Sequence, residues 1–111
     1  MDKALTKLRI ESIITHIELI ENDLKDMTLD DFKKSDLYVR GTCFSLMQIG
    51  EQLSKLHDIF GEQYPKIPWR EAIKLRTLIV HVYYKVDAEE IYKVAKNDLP
   101  SLKESIKAIK I

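Results

Sequence analysis

Apolar residues recur at every third or fourth position through the first 27 residues of the chain. This spacing places them on one face of a helix that covers about residues 2–27. The stripe consists of Ile10, Ile13, Ile17, Ile20, Leu24 and Met27. Four more apolar residues widen it, namely Leu5, Leu8, Ile14 and Leu19. A face this broad can serve both an intramolecular core and a partner helix, so the segment favours a helical bundle.

Start and stop signals divide the rest of the chain into further helices. Thr28 can cap a new helical start because an acidic residue, Asp31, follows three positions later. Gly61, Pro65 and Pro68 predict a loop over 61–68, with Pro68 suited to the first position of the next helix. Asp87 and Glu90 resemble a second capping box, and Pro100 precedes the last helix. The predicted helices after the first cover about residues 35–60, 69–83, 88–97 and 101–108.

The second of these helices contains two glycines, Gly41 and Gly50. Each costs about 1 kcal/mol relative to alanine in a helix interior. The usual reason to keep such a glycine is the close approach of a neighbouring helix. The whole pattern therefore predicts an all-α, four- to five-helix up-and-down bundle with short connections.

Length and composition limit the classes of protein that remain. The 111 residues provide for one domain, 1–111. With 18 basic and 18 acidic residues the formal net charge is zero, which excludes a generally cationic protein that coats nucleic acid or membrane. A single cysteine excludes an internal disulfide and a cysteine-rich zinc site. The charged N-terminus and the absence of any run of about 20 apolar residues predict a cytoplasmic protein without a membrane span.

The neutral total conceals an uneven distribution of charge. Residues 66–86 contain five basic side chains against one acidic side chain, a net charge of +4. The basic residues are Lys66, Arg70, Lys74, Arg76 and Lys85, and the acidic residue is Glu71. This block is either a solvated face that balances the acidic N-terminal third or a site for a phosphate-bearing ligand. The presence of His81 within it suits phosphodiester chemistry.

Arg76, His81 and Tyr83 are the candidate functional residues of the third predicted helix. Arg76 and Tyr83, seven residues apart, lie within about 20° of each other on a helix, whereas Arg76 and His81 differ by about 140°. One straight helix therefore does not direct all three at one point. Either the helix loosens near His81, or long side chains reach around it, or two copies of the helix share one site in a symmetric dimer.

The remaining histidines and the cysteine are interpreted as structural. His16 flanks the apolar stripe of the first helix, and His57 lies near the end of the second. Neither has partners at a convincing metal-ligand spacing, so we expect no metal site and no cofactor. Cys43 has no base near it in sequence and is expected to be a small core residue.

The spacing Arg76-x4-His81-x-Tyr83 resembles the signature of the HepT-like branch of the HEPN toxins. Its flanks are similar to the family as well: Trp69 before the motif, Val86-Asp87 after it, Asp98-Leu99-Pro100-x-Leu102 further on, and Ile49-Gly50-Glu51 upstream. The resemblance covers about residues 8–109. It implies a HEPN-type bundle that forms a homodimer, and a metal-independent endoribonuclease with a composite active site where the two motif helices meet. It also implies an antitoxin partner, a minimal nucleotidyltransferase.

The resemblance implies a role for each motif residue. Arg76 would bind the scissile phosphate of the RNA substrate, and His81 would act as general acid or base. Tyr83 would be the site of adenylylation by the antitoxin, with the adjacent Tyr84 as a second acceptor. Thr77 stands where the family often has Asn, and it would be a supporting polar residue without the two-ended geometry of an amide.

Two further basic residues and two other functions complete the predictions. Arg70 and Lys74 are candidate phosphate-binding residues within the basic block. A non-catalytic module that binds a nucleotide or a nucleotidyltransferase is the alternative to a ribonuclease. A structural helical dimer, with Arg76 in an ordinary salt bridge, is the third hypothesis.

Overall fold

The computed structural model describes residues 2–82 and 87–111 of the chain. Within these ranges it contains six helices and no strand. In chain order they are α1 (Lys3–Leu24), α2 (Leu29–Lys34), α3 (Asp36–Phe60), α4 (Trp69–Val82), α5 (Ala88–Asn97) and α6 (Leu99–Lys107). The prediction of an all-α bundle is confirmed. The structure has one helix more than the five predicted, and this additional helix is the short α2.

The break predicted at Thr28 is a helix start, but the helix that it starts is short. The Thr28 hydroxyl accepts a hydrogen bond from the Asp31 amide, and the Asp31 carboxylate accepts one from the Thr28 amide. This reciprocal pair satisfies two amides that have no partner within the helix. Ser35 then adopts an extended backbone and caps α3 by accepting from the Tyr38 amide. Ser35 therefore divides what could have been one helix into two.

The core is built around α3, which packs most extensively against α4 and α1. Arg9 donates to Gln52 and His16 contacts Ser45, so α1 and α3 run antiparallel. The predicted stripe of α1 is buried: Ile13 and Ile17 are fully enclosed, and Ile20 and Leu24 nearly so. The core-facing residues of α3 are equally enclosed, and they are Leu46, Ile49, Leu53 and Leu56. Burying each such side chain contributes about 1.5–3 kcal/mol before entropy is counted.

Part of the wide apolar face of α1 remains on the surface. Leu8 is 62% exposed, and Leu5 and Leu19 are also exposed. On α3, Leu37 (70%) and Phe44 (58%) are exposed as well. The intramolecular core therefore uses the central stripe of α1 and part of Ile14, and several other apolar side chains are left uncovered on both helices.

Helices α5 and α6 hold the far end of α1. The Lys96 ammonium donates to the Leu24 carbonyl at 2.7 Å, and the Tyr92 hydroxyl donates to the Met27 carbonyl at 2.7 Å. The Leu24 carbonyl belongs to the last residue of α1 and the Met27 carbonyl to the turn that follows, so neither has a donor within the helix. Lys103 of α6 forms a salt bridge with Glu21 at 2.6 Å. That hydrogen bond and the carboxylate charge raise the pKa of Lys103.

The bounds of α1 and α6 differ slightly from the predicted ones, and α1 ends at Leu24 instead of about residue 27. Helix α4 begins at Trp69 as predicted, with Pro68 one position before it, and the Pro68 carbonyl accepts from the Ala72 amide. Helix α6 begins at Leu99, which places Pro100 inside its first turn. Proline is tolerated there because first-turn amides have no intrahelical acceptor.

Candidate functional site

The N-terminal end of α4 is anchored by Trp69. Its ring is buried, and its indole N–H donates to the Tyr64 carbonyl at 2.9 Å. The ring also packs near His57 of α3, with ring centroids 5.7 Å apart. Ala72, one turn along α4, is buried too. These contacts fix the axis of the helix that carries the candidate residues.

Helices α3 and α4 approach closely at Gly50 and Arg76. A Cβ atom added at Gly50 would lie 3.0 Å from the Arg76 Cβ and 3.3 Å from its backbone nitrogen. The absence of a side chain at position 50 therefore lets α4 lie directly on α3, as expected for a glycine inside a helix. Gly41 differs, because an added Cβ there would have no atom within 4 Å. The close approach of a neighbouring helix that both glycines predicted is therefore found at Gly50, but within one copy of the chain it is not found at Gly41.

The guanidinium of Arg76 forms an ion pair with Glu51. Its Nη1 donates to the Glu51 Oε2 at 2.5 Å, and the two side chains are 41% and 42% exposed. An ion pair this exposed contributes at most about 1 kcal/mol to stability. Its main effect is to restrict the direction of a long side chain that still contacts solvent. The spacing of the sequence did not identify this pair, since its members are 25 residues apart.

The remaining motif residues are placed only in part. Helix α4 is α-helical through Val82, so it does not loosen between Arg76 and His81. Positions 76 and 81 therefore remain about 140° apart around its axis. The side chains of Thr77 and His81 lie outside the described part of the structure. Tyr83 and the neighbouring Tyr84 lie outside the described residues altogether.

Arg70 and Lys74 are exposed and lie one turn apart on α4. By helical position they are about 120–160° from Arg76, whereas position 81 falls within about 20° of both. The helix thus presents two stripes: one contains Arg76 and packs on α3, and the other contains Arg70, Lys74 and position 81. A single copy does not bring Arg70 or Lys74 to the Arg76 guanidinium.

A crevice of about 450 Å³ lies between the first half of α4 and the α5–α6 junction. It is lined by apolar groups together with the carboxylates of Glu71 and Asp98, and Arg76 is not part of it. Two carboxylates disfavour a phosphate ligand. This crevice is therefore not the place where an RNA backbone would bind.

Other titratable groups in the described residues have local structural explanations. His16 is half-buried with its Nδ1 3.3 Å from the Ser45 hydroxyl, and this burial lowers the pKa of His16. Burial raises the pKa of the Cys43 thiol, which suits the predicted small core residue. Among the side chains that the structure describes, no three of His, Cys, Asp or Glu are grouped so as to hold a metal ion. None of the described helices is both long and apolar enough to cross a membrane.

Comparison with known proteins identifies the family. A model of the family described as "Ribonuclease HepT-like" matches residues 13–109. A protein from Thermococcus cleftensis named "Probable ribonuclease HepT" is 35% identical over 98 residues, which cover 85% of this chain and 86% of that protein.

A protein from Methanocaldococcus jannaschii, named "Gamma-glutamylcyclotransferase and putative RNase", is 37% identical over 100 residues. The match covers 90% of this chain but 45% of that protein, so the chain spans less than half of its length. No solved structure matches significantly. Since the family model covers most of the sequence and carries the candidate motif helix within it, the chain belongs to the HepT-like ribonuclease family.

Proposed function

We propose that this chain is the ribonuclease toxin of a toxin–antitoxin pair, a metal-independent endoribonuclease that acts as a homodimer. The observation that carries the proposal is the placement of Arg76. Its stem is held against Gly50 and its head by Glu51, yet the side chain is 41% exposed. The ribonuclease names of the related proteins support the same class of activity.

The reaction that suits these residues is attack by an RNA 2′-hydroxyl on the adjacent phosphorus. The 2′-oxygen loses its proton and bonds to phosphorus, while the bond from phosphorus to the 5′-oxygen breaks and that oxygen takes up a proton. Arg76 stabilises the added charge on the phosphate oxygens. His81 is the general acid or base for one of the proton transfers, and Thr77 supplies a supporting hydroxyl. The nucleophile belongs to the substrate, so this chemistry needs no metal-bound water.

A homodimer resolves the separation of Arg76 and His81. The regular backbone of α4 leaves the two positions about 140° apart on one helix. In a two-fold pair, Arg76 of one copy and His81 of the other line a single cleft. Arg70 and Lys74 share the stripe of position 81, so in this arrangement they bind phosphates flanking the scissile one.

The exposed apolar residues of α1 and α3 support association between copies. Leu37 and Phe44 of α3, with Leu8 and Leu19 of α1, are each more than half exposed. Apolar side chains left uncovered by the intramolecular core favour a partner surface. Because α3 also carries Glu51, the partner of Arg76, contact at α3 places the second copy beside the candidate site.

Adenylylation of Tyr83 is the proposed means of silencing the toxin. The spacing of the sequence predicts that position 83, seven residues after Arg76, lies within about 20° of it around a helix. An AMP group attached there by a minimal nucleotidyltransferase antitoxin adds a phosphate charge and the bulk of a nucleotide. Both oppose the entry of RNA, because the added phosphate competes for Arg76 and repels the substrate backbone.

The test is cleavage of RNA by the unmodified dimer in the presence of EDTA. His81→Ala is expected to reduce the rate by about 10²–10⁴-fold, as for loss of a general acid or base. Arg76→Ala is expected to reduce it by about 10²–10³-fold, as for loss of one charge-stabilising group. Arg40→Ala is the matched control for the arginine, since Arg40 is exposed on α3 and outside the motif helix. Cleavage that persists in His81→Ala would refute the assigned mechanism.

Modification is tested by coexpression with a neighbouring nucleotidyltransferase and peptide mass spectrometry. An AMP-sized addition on the peptide containing Tyr83, lost in Tyr83→Phe, supports the proposed silencing. An unmodified Tyr83 in the presence of a competent partner would contradict it.

The ion pair between Arg76 and Glu51 also favours a second function, a non-catalytic binding module. Glu51 offsets the charge of Arg76 and leaves the site less positive, whereas a paired arginine by itself is what the structural helical dimer would show. Binding of the nucleotidyltransferase partner without any RNA cleavage by verified unmodified protein would favour this alternative. The exposure of Arg76 favours the ribonuclease, since a purely structural pair gains nothing from access to solvent.

A further inference from the structure

Two consecutive residues of α3 hold opposite ends of the Arg76 side chain. The close approach at Gly50, where an added Cβ would lie 3.0 Å from the Arg76 Cβ, positions its backbone end, and the Glu51 carboxylate accepts from its Nη1. We propose that Glu51 is a positioning residue, which sets the direction of the Arg76 guanidinium so that its other donors face the phosphate. This inference rests on the proposed ribonuclease function and adds a residue to it.

The geometry of the pair leaves the arginine able to bind a ligand. A guanidinium has five N–H donors, and the hydrogen bond to Glu51 uses Nη1. The Nε–H and Nη2 donors form the other edge of the fork, which suits the bidentate recognition of a phosphate. The 41% exposure of the Arg76 side chain is consistent with access to that edge.

Stability does not explain the pair. Ion pairs at this level of exposure contribute little to stability, and many contribute nothing measurable. Ordering an arginine side chain costs rotamer entropy, which a free Arg76 would have to lose whenever RNA binds. A carboxylate that holds the guanidinium in advance removes part of this cost from the binding step.

If Glu51 acted only through its negative charge, its removal would affect RNA binding and cleavage in the opposite direction. If Glu51 only reduced the positive charge at the site, its removal would strengthen RNA binding and would not slow cleavage. If it positions Arg76, its removal slows cleavage even though the site becomes more positive. The direction of the effect therefore separates the two roles.

Asp58 provides a matched control. It lies on α3 seven residues from Glu51, on the same side of the helix within about 20°. Its side chain is exposed and forms no salt bridge among the described residues. Asp58→Ala therefore removes the same charge from the same helix face without touching Arg76.

The experiment measures cleavage by the full chain with Glu51→Ala, Glu51→Gln and Asp58→Ala, each folded as judged by circular dichroism. Glu51→Ala is expected to lose between about tenfold and a hundredfold in kcat/KM, as for a misplaced charge-binding group. Glu51→Gln is expected to retain most of the rate, because the amide oxygen still accepts from Nη1. Asp58→Ala is expected to match the wild type.

The decisive comparison repeats Glu51→Ala in an Arg76→Ala background. A residue that acts through Arg76 has no further effect once Arg76 is gone. An equal loss of kcat/KM in both backgrounds would overturn the proposal. A second outcome would overturn it too: an equal loss of kcat/KM in Glu51→Gln and Glu51→Ala, accompanied by loss of the acidic limb of the pH–rate profile. That pattern would make Glu51 a general base instead.

Binding to an RNA with a 2′-deoxy group at the cleavage site gives a second readout that does not need turnover. Glu51→Ala is expected to weaken this binding in the wild-type background and leave it unchanged in Arg76→Ala. Wild-type protein that binds this RNA but does not cleave the unmodified RNA would overturn the ribonuclease proposal alone. Wild-type protein that neither binds nor cleaves would overturn both.

Discussion

Replacing Gly50 by alanine puts a methyl group where α3 and α4 touch. The new Cβ would lie 3.0 Å from the Cβ of Arg76 and 3.3 Å from its backbone nitrogen. Neither atom is the end of a flexible side chain, so relief requires a shift of α4 relative to α3. The substitution therefore acts on the packing of two helices and on the position of Arg76 at the same time.

The expected magnitude is the difference between two opposing effects. Alanine gains about 0.8–1 kcal/mol over glycine in a helix interior. Overpacking of a close contact costs about 1–3 kcal/mol. Gly50→Ala should therefore lower the free energy of unfolding by between about zero and 2 kcal/mol. Gly41→Ala has no atom within 4 Å to meet, so it should raise that free energy by about 0.8–1 kcal/mol.

Urea unfolding of both variants measures this contrast. The two should differ by about 1–3 kcal/mol, which is a separation of urea midpoints on the order of 1 M. Runs at several protein concentrations separate association from folding, because a change in dimer stability makes the midpoint depend on concentration. Gly50→Ala should also lose RNA cleavage while still folded, since the shift moves Arg76.

The reasoning would be refuted if Gly50→Ala were stabilised as much as Gly41→Ala. That result would mean that the α3–α4 contact opens at no cost, and that the close approach does not fix the position of Arg76.

Three other predictions concern the rest of the bundle. Because burial lowers the pKa of His16, its contribution to stability is fully present above pH 6.5 and is lost as the pH falls below that value. The free energy of unfolding should therefore fall less steeply with decreasing pH in His16→Gln than in the wild type. Thr28→Ala removes the cap of α2 and should cost about 0.5–2 kcal/mol in urea unfolding, whereas Thr15→Ala, exposed on α1, should change stability little. Tyr92→Phe removes the hydrogen bond to the Met27 carbonyl and should lower the free energy of unfolding by about 0.5–1.5 kcal/mol, a prediction that thermal melts showing no change would contradict.

The periodicity of the sequence was sufficient to predict the core face of α1, because burial of every third or fourth residue is a local property of a helix. The residues that widen the face were expected to serve either the core or a partner helix, and of these Leu8 and Leu19 lie outside the contact with the other helices of the chain. The width of a buried face depends on how many helices cover it, and no pattern within one helix carries that information.

The helix α2 itself and the partner of Arg76 were not predicted, for different reasons. The cap at Thr28 and the start of the next helix at about residue 35 were both predicted, so the signals that bound α2 were present, but the residues between them were not assigned to a helix. The pair of Glu51 and Arg76 was not, since it depends on where α4 crosses α3. Gly50 indicated a close approach of helices, because glycine inside a helix lowers its stability, but the sequence did not identify the residue that would lie opposite.

The ties between α1 and the last two helices have a consequence for synthesis on the ribosome. The carbonyls of Leu24 and Met27 receive their donors from residues 65 to 72 positions later, and Glu21 meets its partner in α6. The nascent N-terminal half therefore emerges with α3 available to pack on α1, but without the contacts that α5 and α6 make with the C-terminal end of α1. Native closure of the bundle waits for α5 and α6, so a ribosome-bound fragment ending in α4 carries the Arg76 helix before the domain around it is complete.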